Sequence, residues 1–176
     1  MKHSIKILGK VMAMVLFFFL VAGCKKKDCS ATVCGYNQVC NSGNCYCRDG
    51  YEGDSCNVLS SPRYVNGGRN YFVQESCSGS SGSNYTAFIT APYPNPAQLD
   101  INNFLPDGYT ITAFIRGTSD KKGTFIEIPS QSLGGSGTVT GQGNYDIVSN
   151  PHRLVINFEY TLNNQNKACT HTFYPQ

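Results

Sequence analysis

The residues whose chemistry is easiest to anticipate in this chain are its nine cysteines. Cysteines at short spacing either pair as disulfides or bind a metal ion such as zinc. A Cys-x-Cys step and the lack of histidine in the clustered segment disfavour zinc. Because so short a segment cannot bury a sufficient core, disulfides must stabilise it. Six cysteines allow fifteen pairings. The cluster has the spacing Cys29-x4-Cys34-x5-Cys40-x4-Cys45-x-Cys47-x8-Cys56.

The first 23 residues have the organisation of a secretory signal peptide. Lys2, Lys6 and Lys10 precede a continuous apolar run over residues 11–22, with the sequence VMAMVLFFFLVA. A charged start followed by a short apolar run is typical of such signals. The run is shorter than the ~20 residues that a membrane span needs, so a retained transmembrane anchor is the less favoured alternative.

The apolar run ends at residues 20–24 with the sequence LVAGC, which resembles the lipobox of bacterial lipoproteins. The resemblance implies cleavage after Gly23, lipid attachment to Cys24 and a tether over residues 24–28. A single acyl chain binds a membrane only marginally, and lipoproteins of this type carry several. Lys25 stands where an aspartate is associated with retention in the inner membrane. We therefore expect a protein anchored by lipid in the bacterial cell envelope, at the outer membrane or the cell surface.

The end of the cysteine cluster, residues 47–56, has the sequence CRDGYEGDSC. With the cysteine spacing, this segment resembles an EGF-like module of the compact type found in tenascin-like repeats. In that family Gly50 and Gly53 permit a tight turn with positive φ, and Tyr51 covers the last disulfide. The resemblance implies an EGF-like domain over residues 29–56. It also implies three disulfides: Cys29–Cys40, Cys34–Cys45 and Cys47–Cys56.

Some EGF-like modules bind calcium, and this sequence lacks the residues for it. Only residues 26–28 (KKD) stand between the basic start of the tether and Cys29, and residues 41–44 (NSGN) are all that separate Cys40 from Cys45. A calcium ion takes about six to eight oxygen ligands, more than these segments offer. We therefore expect no bound metal and no other cofactor.

The region after the module is expected to form an antiparallel β domain over residues 70–176. Residues 57–69 contain a proline, two glycines and polar residues, so they are predicted to be a linker. Beyond them no segment has helical periodicity, and short runs alternate between apolar and polar residues, which favours a barrel or a sandwich. The predicted strands cover residues 70–77, 85–91, 99–104, 109–115, 124–128, 137–143, 153–160 and 168–174.

Cys77 and Cys169 stand apart from the cluster. An odd number of cysteines in an exported chain needs an explanation, and lipid attachment to Cys24 would supply it. The oxidising compartment then favours a Cys77–Cys169 disulfide, with two buried free thiols as the alternative. The bond would make the first and last strands neighbours, since its Cα atoms must lie within ~7 Å. In a meander with an even number of strands, this closes a barrel or joins two sandwich edges.

Residues suited to catalysis are few and scattered in this sequence. Beyond the leader the histidines are His152 and His171, and His171 shares a strand face with Cys169 and Phe173, which favours a structural role. Ser136 lies in a polar turn between glycines, outside any nucleophile motif. We therefore predict that the protein is not an enzyme and has no catalytic residue. The scattered carboxylates are Asp100, Asp107, Asp120, Glu127, Asp146 and Glu159.

The charge of the chain argues against a nucleic-acid partner. The formal net charge is +3, but three of the 14 basic residues lie in the acid-free leader, and the other 11 face 11 acidic residues. The mature chain is therefore close to neutral, without the basic surface that nucleic acids require. The one basic cluster, residues 25–27, lies beside the anchor and can face lipid headgroups.

We expect a non-catalytic surface protein that binds a protein or glycan partner, with the EGF-like module as a stiff spacer between anchor and β domain. The 11 tyrosines and 10 phenylalanines are mainly core residues by their strand positions, although an exposed aromatic stripe could bind a glycan. The β region also resembles small lipocalin-like domains of bacterial lipoproteins, in its layout and in residues 126–131 (IEIPSQ). That resemblance implies the alternative function, a carrier of a small apolar ligand.

Overall fold

The computed structural model describes residues 29–79, 82–118, 120–135 and 137–176. The predicted signal peptide, lipid attachment at Cys24 and tether over residues 24–28 lie outside the described residues, and so does Ser136. In the described part of the chain, no helix is long and apolar enough to span a membrane.

The described residues are mainly β, which confirms the predicted fold class. One short α-helix, α1 (Ser61–Val65), and one 3₁₀ helix (Asn66–Gly68) stand between the fourth and fifth strands. The strands are β1 (Gln38–Asn41), β2 (Asn44–Cys47), β3 (Tyr51–Glu52), β4 (Val58–Leu59), β5 (Tyr71–Cys77), β6 (Asn84–Thr90), β7 (Gln98–Asn102), β8 (Ile111–Ile115), β9 (Phe125–Ser132), β10 (Thr138–Asp146), β11 (Arg153–Leu162) and β12 (Gln165–Pro175).

Strands β5 to β12 form a closed antiparallel barrel in which each strand pairs with its neighbours in sequence. The barrel closes where β12 returns to pair with β5, with Cys169 opposite Cys77 and Pro175 opposite Tyr71. The sequence left a barrel and a sandwich open as alternatives. The structure is a barrel because both edges of the meander are used in this last pairing.

The interior of the barrel is filled by side chains. Alternate residues along each strand point inward, as the period of two predicts. Phe104 and Leu105, from the loop between β7 and β8, close one end of the barrel, and Tyr64 of α1 closes the other. An eight-stranded barrel is just wide enough for its own side chains to fill. The inward-facing residues include Leu99, Ile101, Ile111, Ala113, Ile115, Ile126, Ile128, Leu154, Ile156 and Phe173.

Strand β10 is longer than the weak pattern over residues 137–143 predicted. Its inward positions include Gly141 and Gly143, which carry no apolar side chain for a pattern to register. A Cβ on Gly141 would lie 2.6 Å from the backbone oxygen of Asn157 on β11. The glycines therefore permit close packing of β10 on β11. They also interrupt the apolar alternation by which the strand would be predicted from the sequence.

The four short strands β1–β4, held by three disulfides, form an N-terminal module (residues 29–59). Strand β1 pairs with β2, and β3 pairs with β4. The bonds are Cys29–Cys40, Cys34–Cys45 and Cys47–Cys56, the pairs that the EGF-like resemblance implied. The module therefore consists of two small hairpin-like units connected by covalent bonds.

Residues 57–69 are not the linker that their composition predicted. They contain β4, α1 and the 3₁₀ helix, and Tyr64 is completely buried against the barrel. Pro62 stands at the start of α1, where its fixed φ suits the first turn of a helix. A single helical turn is too short to show periodicity, so proline and glycine dominated the pattern. The module is accordingly packed on the barrel and is not a separate spacer.

Candidate functional site

The contact between the module and the barrel depends on glycines that let two backbones meet. Gly50 has φ of 82°, and a Cβ there would lie 2.5 Å from the backbone oxygen of Pro96. A Cβ on Gly117 would lie 1.8 Å from the backbone oxygen of Cys47. The Gly50 amide donates a hydrogen bond to the Ile115 carbonyl at the end of β8. Gly50, predicted as a turn residue, thus also forms part of the contact with the barrel.

An ionic network crosses the same junction. The Arg116 guanidinium donates hydrogen bonds to Asp49 of the module and to Glu127 of β9, and both donor–acceptor distances are 2.7 Å. The second Asp49 oxygen accepts the Gly117 amide at 2.8 Å. The hydrogen bond to Asp49 is the main reason why the pKa of Arg116 is raised. Asp49 is therefore bound by a side chain and a backbone amide of the barrel, which fixes the orientation of the module.

Helix α1 makes a second set of contacts between module and barrel. Arg63 donates a hydrogen bond of 2.7 Å to Glu52 of the module and another to the Lys122 carbonyl of the barrel. The buried Tyr64 hydroxyl donates to the Gly123 carbonyl at 2.8 Å, and Tyr71 of β5 donates to the Tyr64 carbonyl at 2.7 Å. Burial raises the pKa of Tyr64 and of Tyr71, so both hydroxyls stay protonated donors.

An open groove with a volume of about 730 Å³ runs between the module and the barrel. Its walls carry the partly exposed rings of Tyr46 and Tyr51 from the module and Phe114 from β8. The Arg116 guanidinium lies over the Phe114 ring, 5.4 Å from its centroid. Aromatic faces beside fixed polar groups are the usual composition of a binding site. The other lining residues are Val39, Asn41, Cys47, Arg48, Asp49, Asn95, Pro96, Ala97 and Gly117.

A buried polar cluster lies inside the barrel, towards the end that Phe104 closes. His171 of β12 is directly opposite Glu75 of β5, and its Nε2 lies 3.0 Å from a Glu75 carboxylate oxygen. The Tyr85 hydroxyl lies 3.1 Å from His171 Nδ1 and donates to the Phe104 carbonyl. The rings of Phe104 and Phe158 pack on the imidazole, with centroids 4.9 and 4.3 Å away.

The protonation of this cluster follows from its burial. Loss of hydration lowers the pKa of His171 to about 4, and the hydrogen bond with Glu75 only partly opposes that shift. At neutral pH the imidazole is therefore neutral, and its Nε2–H donates to the Glu75 carboxylate, which leaves Nδ1 unprotonated beside the Tyr85 hydroxyl. The Tyr85 hydroxyl has one hydrogen for two acceptors, His171 and the Phe104 carbonyl. His171 is 0% exposed, whereas the Glu75 side chain is 11% exposed, so the imidazole itself has no contact with solvent.

We predict that acid destabilises the barrel through His171. In the unfolded chain this histidine binds a proton near pH 6.5, whereas in the folded chain its pKa is about 4. The contribution of neutral His171 to the free energy of unfolding is therefore fully present above pH 6.5. It falls as the pH drops towards 4, because only the unfolded state gains the proton. Because one proton is involved, each pH unit in this range should lower the free energy of unfolding by at most ~1.4 kcal/mol. Urea unfolding at a series of pH values measures it.

The matched controls for this prediction are His171→Gln and His152→Gln. His152 is exposed at the turn before β11, so His152→Gln controls for the loss of a histidine outside the buried cluster. His171→Gln should flatten the stability curve between pH 6.5 and 4, beyond any constant loss of stability. An unchanged slope in His171→Gln would show that other groups cause the acid response.

The structure brings some of the predicted site residues together and adds others. Gly50, Tyr51 and Gly53 lie at the junction, where the Gly53 amide donates to the Lys121 carbonyl at 2.8 Å. Glu75 had no predicted role, although its place in the inward register of β5 is a signal for it. Its carboxylate lies beside the sulfurs of Cys77 and Cys169, but these are bonded to one another as a fourth disulfide.

The fold is thus a closed eight-stranded antiparallel barrel with a disulfide-rich module packed on one end. No protein-family model matches the sequence, and no curated protein matches it. A redesigned β-barrel is among the solved structures that match, with 16% identity and a TM-score of 0.40. That match covers 64% of this chain and 96% of the other.

Proposed function

We propose that the protein is a lipid-anchored protein of the bacterial cell envelope that binds a protein or glycan partner without catalysis. In this proposal residues 1–23 are the signal peptide, Cys24 carries the lipid, and residues 29–56 are an EGF-like domain. The groove between the module and the barrel receives the partner. The anchor rests on the leader and the sequence LVAGC, and the binding role rests on the groove.

The groove is the observation that carries the binding role. One wall belongs to the module and the other to the barrel. The Asp49–Arg116 ion pair and the close backbone contacts at Gly50 and Gly117 hold these walls at a fixed separation. A preformed site loses less conformational entropy on binding than one that must be ordered. Tyrosine and arginine are also the residue types most often found where binding energy is concentrated.

The alternative, a carrier of a small apolar ligand, would use the interior of the barrel. Eight strands are enough to hold one small ligand in some barrels. Here Phe104 and Tyr64 close the two ends, and the interior between them contains packed side chains of the core. A ligand would have to displace that core, which makes the groove the better supported site.

The binding role is tested with a photo-crosslinking residue at Val39, which lines the groove and is 44% exposed. Phe88 on β6 is the matched control, because it is 45% exposed on the outer wall of the barrel. In envelope preparations we expect a discrete adduct from the Val39 position, identified by its mass, and none from Phe88. Equal labelling at both positions would reject the groove as the binding site.

Turnover that is lost on replacing a single Asp, Glu or His would reject the absence of catalysis.

The anchor is tested separately on the mature protein. Mass spectrometry of the membrane fraction should find an acylated Cys24 at the N-terminus, and Cys24→Ser should release the chain from the membrane. A mature chain with an unmodified Cys24 would contradict the anchor and leave the groove proposal intact.

A further inference from the structure

The first part of the module differs from the rest in charge. Residues 29–47 contain no Asp, Glu, Lys, Arg or His. The charged residues of the module follow them, and Asp49 and Glu52 among these are paired with Arg116 and Arg63 at the junction with the barrel. The module thus has a charged region against the barrel and an uncharged region over residues 29–47. The part of that region that does not line the groove, residues 29–38, we call the tip.

Two large apolar side chains of the tip are almost completely exposed. Val33 is 97% exposed and Tyr36 is 93% exposed. Disulfides Cys29–Cys40 and Cys34–Cys45 hold the backbone on both sides of them. Exposed apolar groups on a rigid backbone reduce the solubility of a free protein, unless a partner covers them.

The sequence places a lipid anchor close to this tip. Cys24 and Cys29 are five residues apart, so a fully extended chain between them spans at most ~18 Å. Because the tip begins at Cys29, the proposed anchor would keep Cys29 within that distance of the headgroups. Residues 25–27 are all lysine, which is attracted to anionic lipids.

We propose that the tip is a membrane-contact surface, with Val33 and Tyr36 inserted into the headgroup region of the bilayer that holds Cys24. This inference rests on the proposed lipid anchor. An uncharged surface loses little hydration energy when it enters the interface, whereas each buried charge would be costly. Tyrosine is enriched at membrane interfaces because its ring is apolar and its hydroxyl stays hydrated. The module would then be held against the membrane by its tip, with the barrel joined to the module at its charged region.

The test uses the acylated full-length mature chain in vesicles of phosphatidylethanolamine and phosphatidylglycerol. The sequence contains no tryptophan, so Tyr36→Trp introduces a single fluorescent reporter. Tyr93→Trp is the matched control, because Tyr93 is 98% exposed in the loop between β6 and β7 of the barrel. Both side chains are exposed, so neither replacement disturbs the core. Nitroxide-labelled lipids then quench whichever reporter contacts the bilayer.

We expect the Tyr36→Trp emission to shift to the blue and to be quenched several-fold more than the Tyr93→Trp emission. Adding Val33→Ser should reduce that difference. Equal quenching of the two reporters, or quenching of Tyr93→Trp alone, would overturn the membrane contact of the tip. Flotation of the vesicles separates the two proposals: a chain that does not float with them contradicts the anchor, whereas a floating chain with an unquenched Tyr36→Trp reporter contradicts only the tip.

Discussion

Replacing Cys77 and Cys169 together with serine is expected to lower the free energy of unfolding of the barrel by up to ~4.7 kcal/mol. The two cysteines are 92 residues apart in sequence, so their bond removes much of the conformational freedom of the unfolded chain. The β5–β12 hydrogen bonds remain in the variant, and it should still fold. For a domain of about this size, the loss corresponds to a fall in Tm of the order of 20 °C.

A neighbouring cross-strand pair provides the control. Ser76 and Thr170 are opposite each other on β5 and β12, one position from the disulfide, and they are not covalently linked. The double variant Ser76→Ala, Thr170→Ala should change Tm by only a few degrees in calorimetry without reductant. If the double-serine and double-alanine variants lose equal stability, the bond is not what stabilises the closure of the barrel.

Tyr64→Ala is expected to destabilise the protein by ~3–5 kcal/mol, the usual cost of removing a large buried aromatic ring. The ring is 0% exposed, and it contacts Tyr145 edge to face with centroids 5.4 Å apart. Its loss leaves a cavity at the end of the barrel and removes the hydrogen bond to the Gly123 carbonyl. Denaturant unfolding, followed by far-UV circular dichroism, measures the change.

Tyr64→Phe isolates the hydroxyl from the ring. It keeps the packing and loses only the hydrogen bond to Gly123, so it should cost ~1 kcal/mol. If Tyr64→Ala costs no more than Tyr64→Phe, then α1 does not close the barrel in solution. The segment over residues 57–69 would in that case behave as the linker that its composition predicted.

Through its cysteines the sequence predicted that the two ends of the β domain meet, as a closed barrel or as two sandwich edges, and the structure shows the barrel. Period-two alternation gave the strands, and the Cys77–Cys169 pairing required the first and last strands to be neighbours. An antiparallel pair with these two residues opposite also places Glu75 opposite His171, two positions away on each strand. The opposition of Glu75 and His171 therefore follows from the predicted disulfide, although the alternation alone assigned no role to Glu75.

The junction between module and barrel could not be predicted in this way. It depends on glycines whose value is the absence of a side chain, and on charges far apart in sequence such as Asp49 and Arg116. Neither feature leaves a local pattern. The same is true of the groove, because its aromatic rings resemble core residues in sequence. Phe114 is at an outward position of β8, and it lines a groove because the module packs beside it.

The pairing of β5 with β12 also determines the order of folding events during synthesis. The chain emerges with its N-terminus first, so the short strands of the module can pair while the barrel is still incomplete. Strand β5 must wait for β12, the last strand of the barrel to be synthesised, and until then the growing sheet keeps two open edges, which invite aggregation. Pairing over so long a separation makes closure the slow step. The barrel can therefore close only after the 11 residues of β12 have been made.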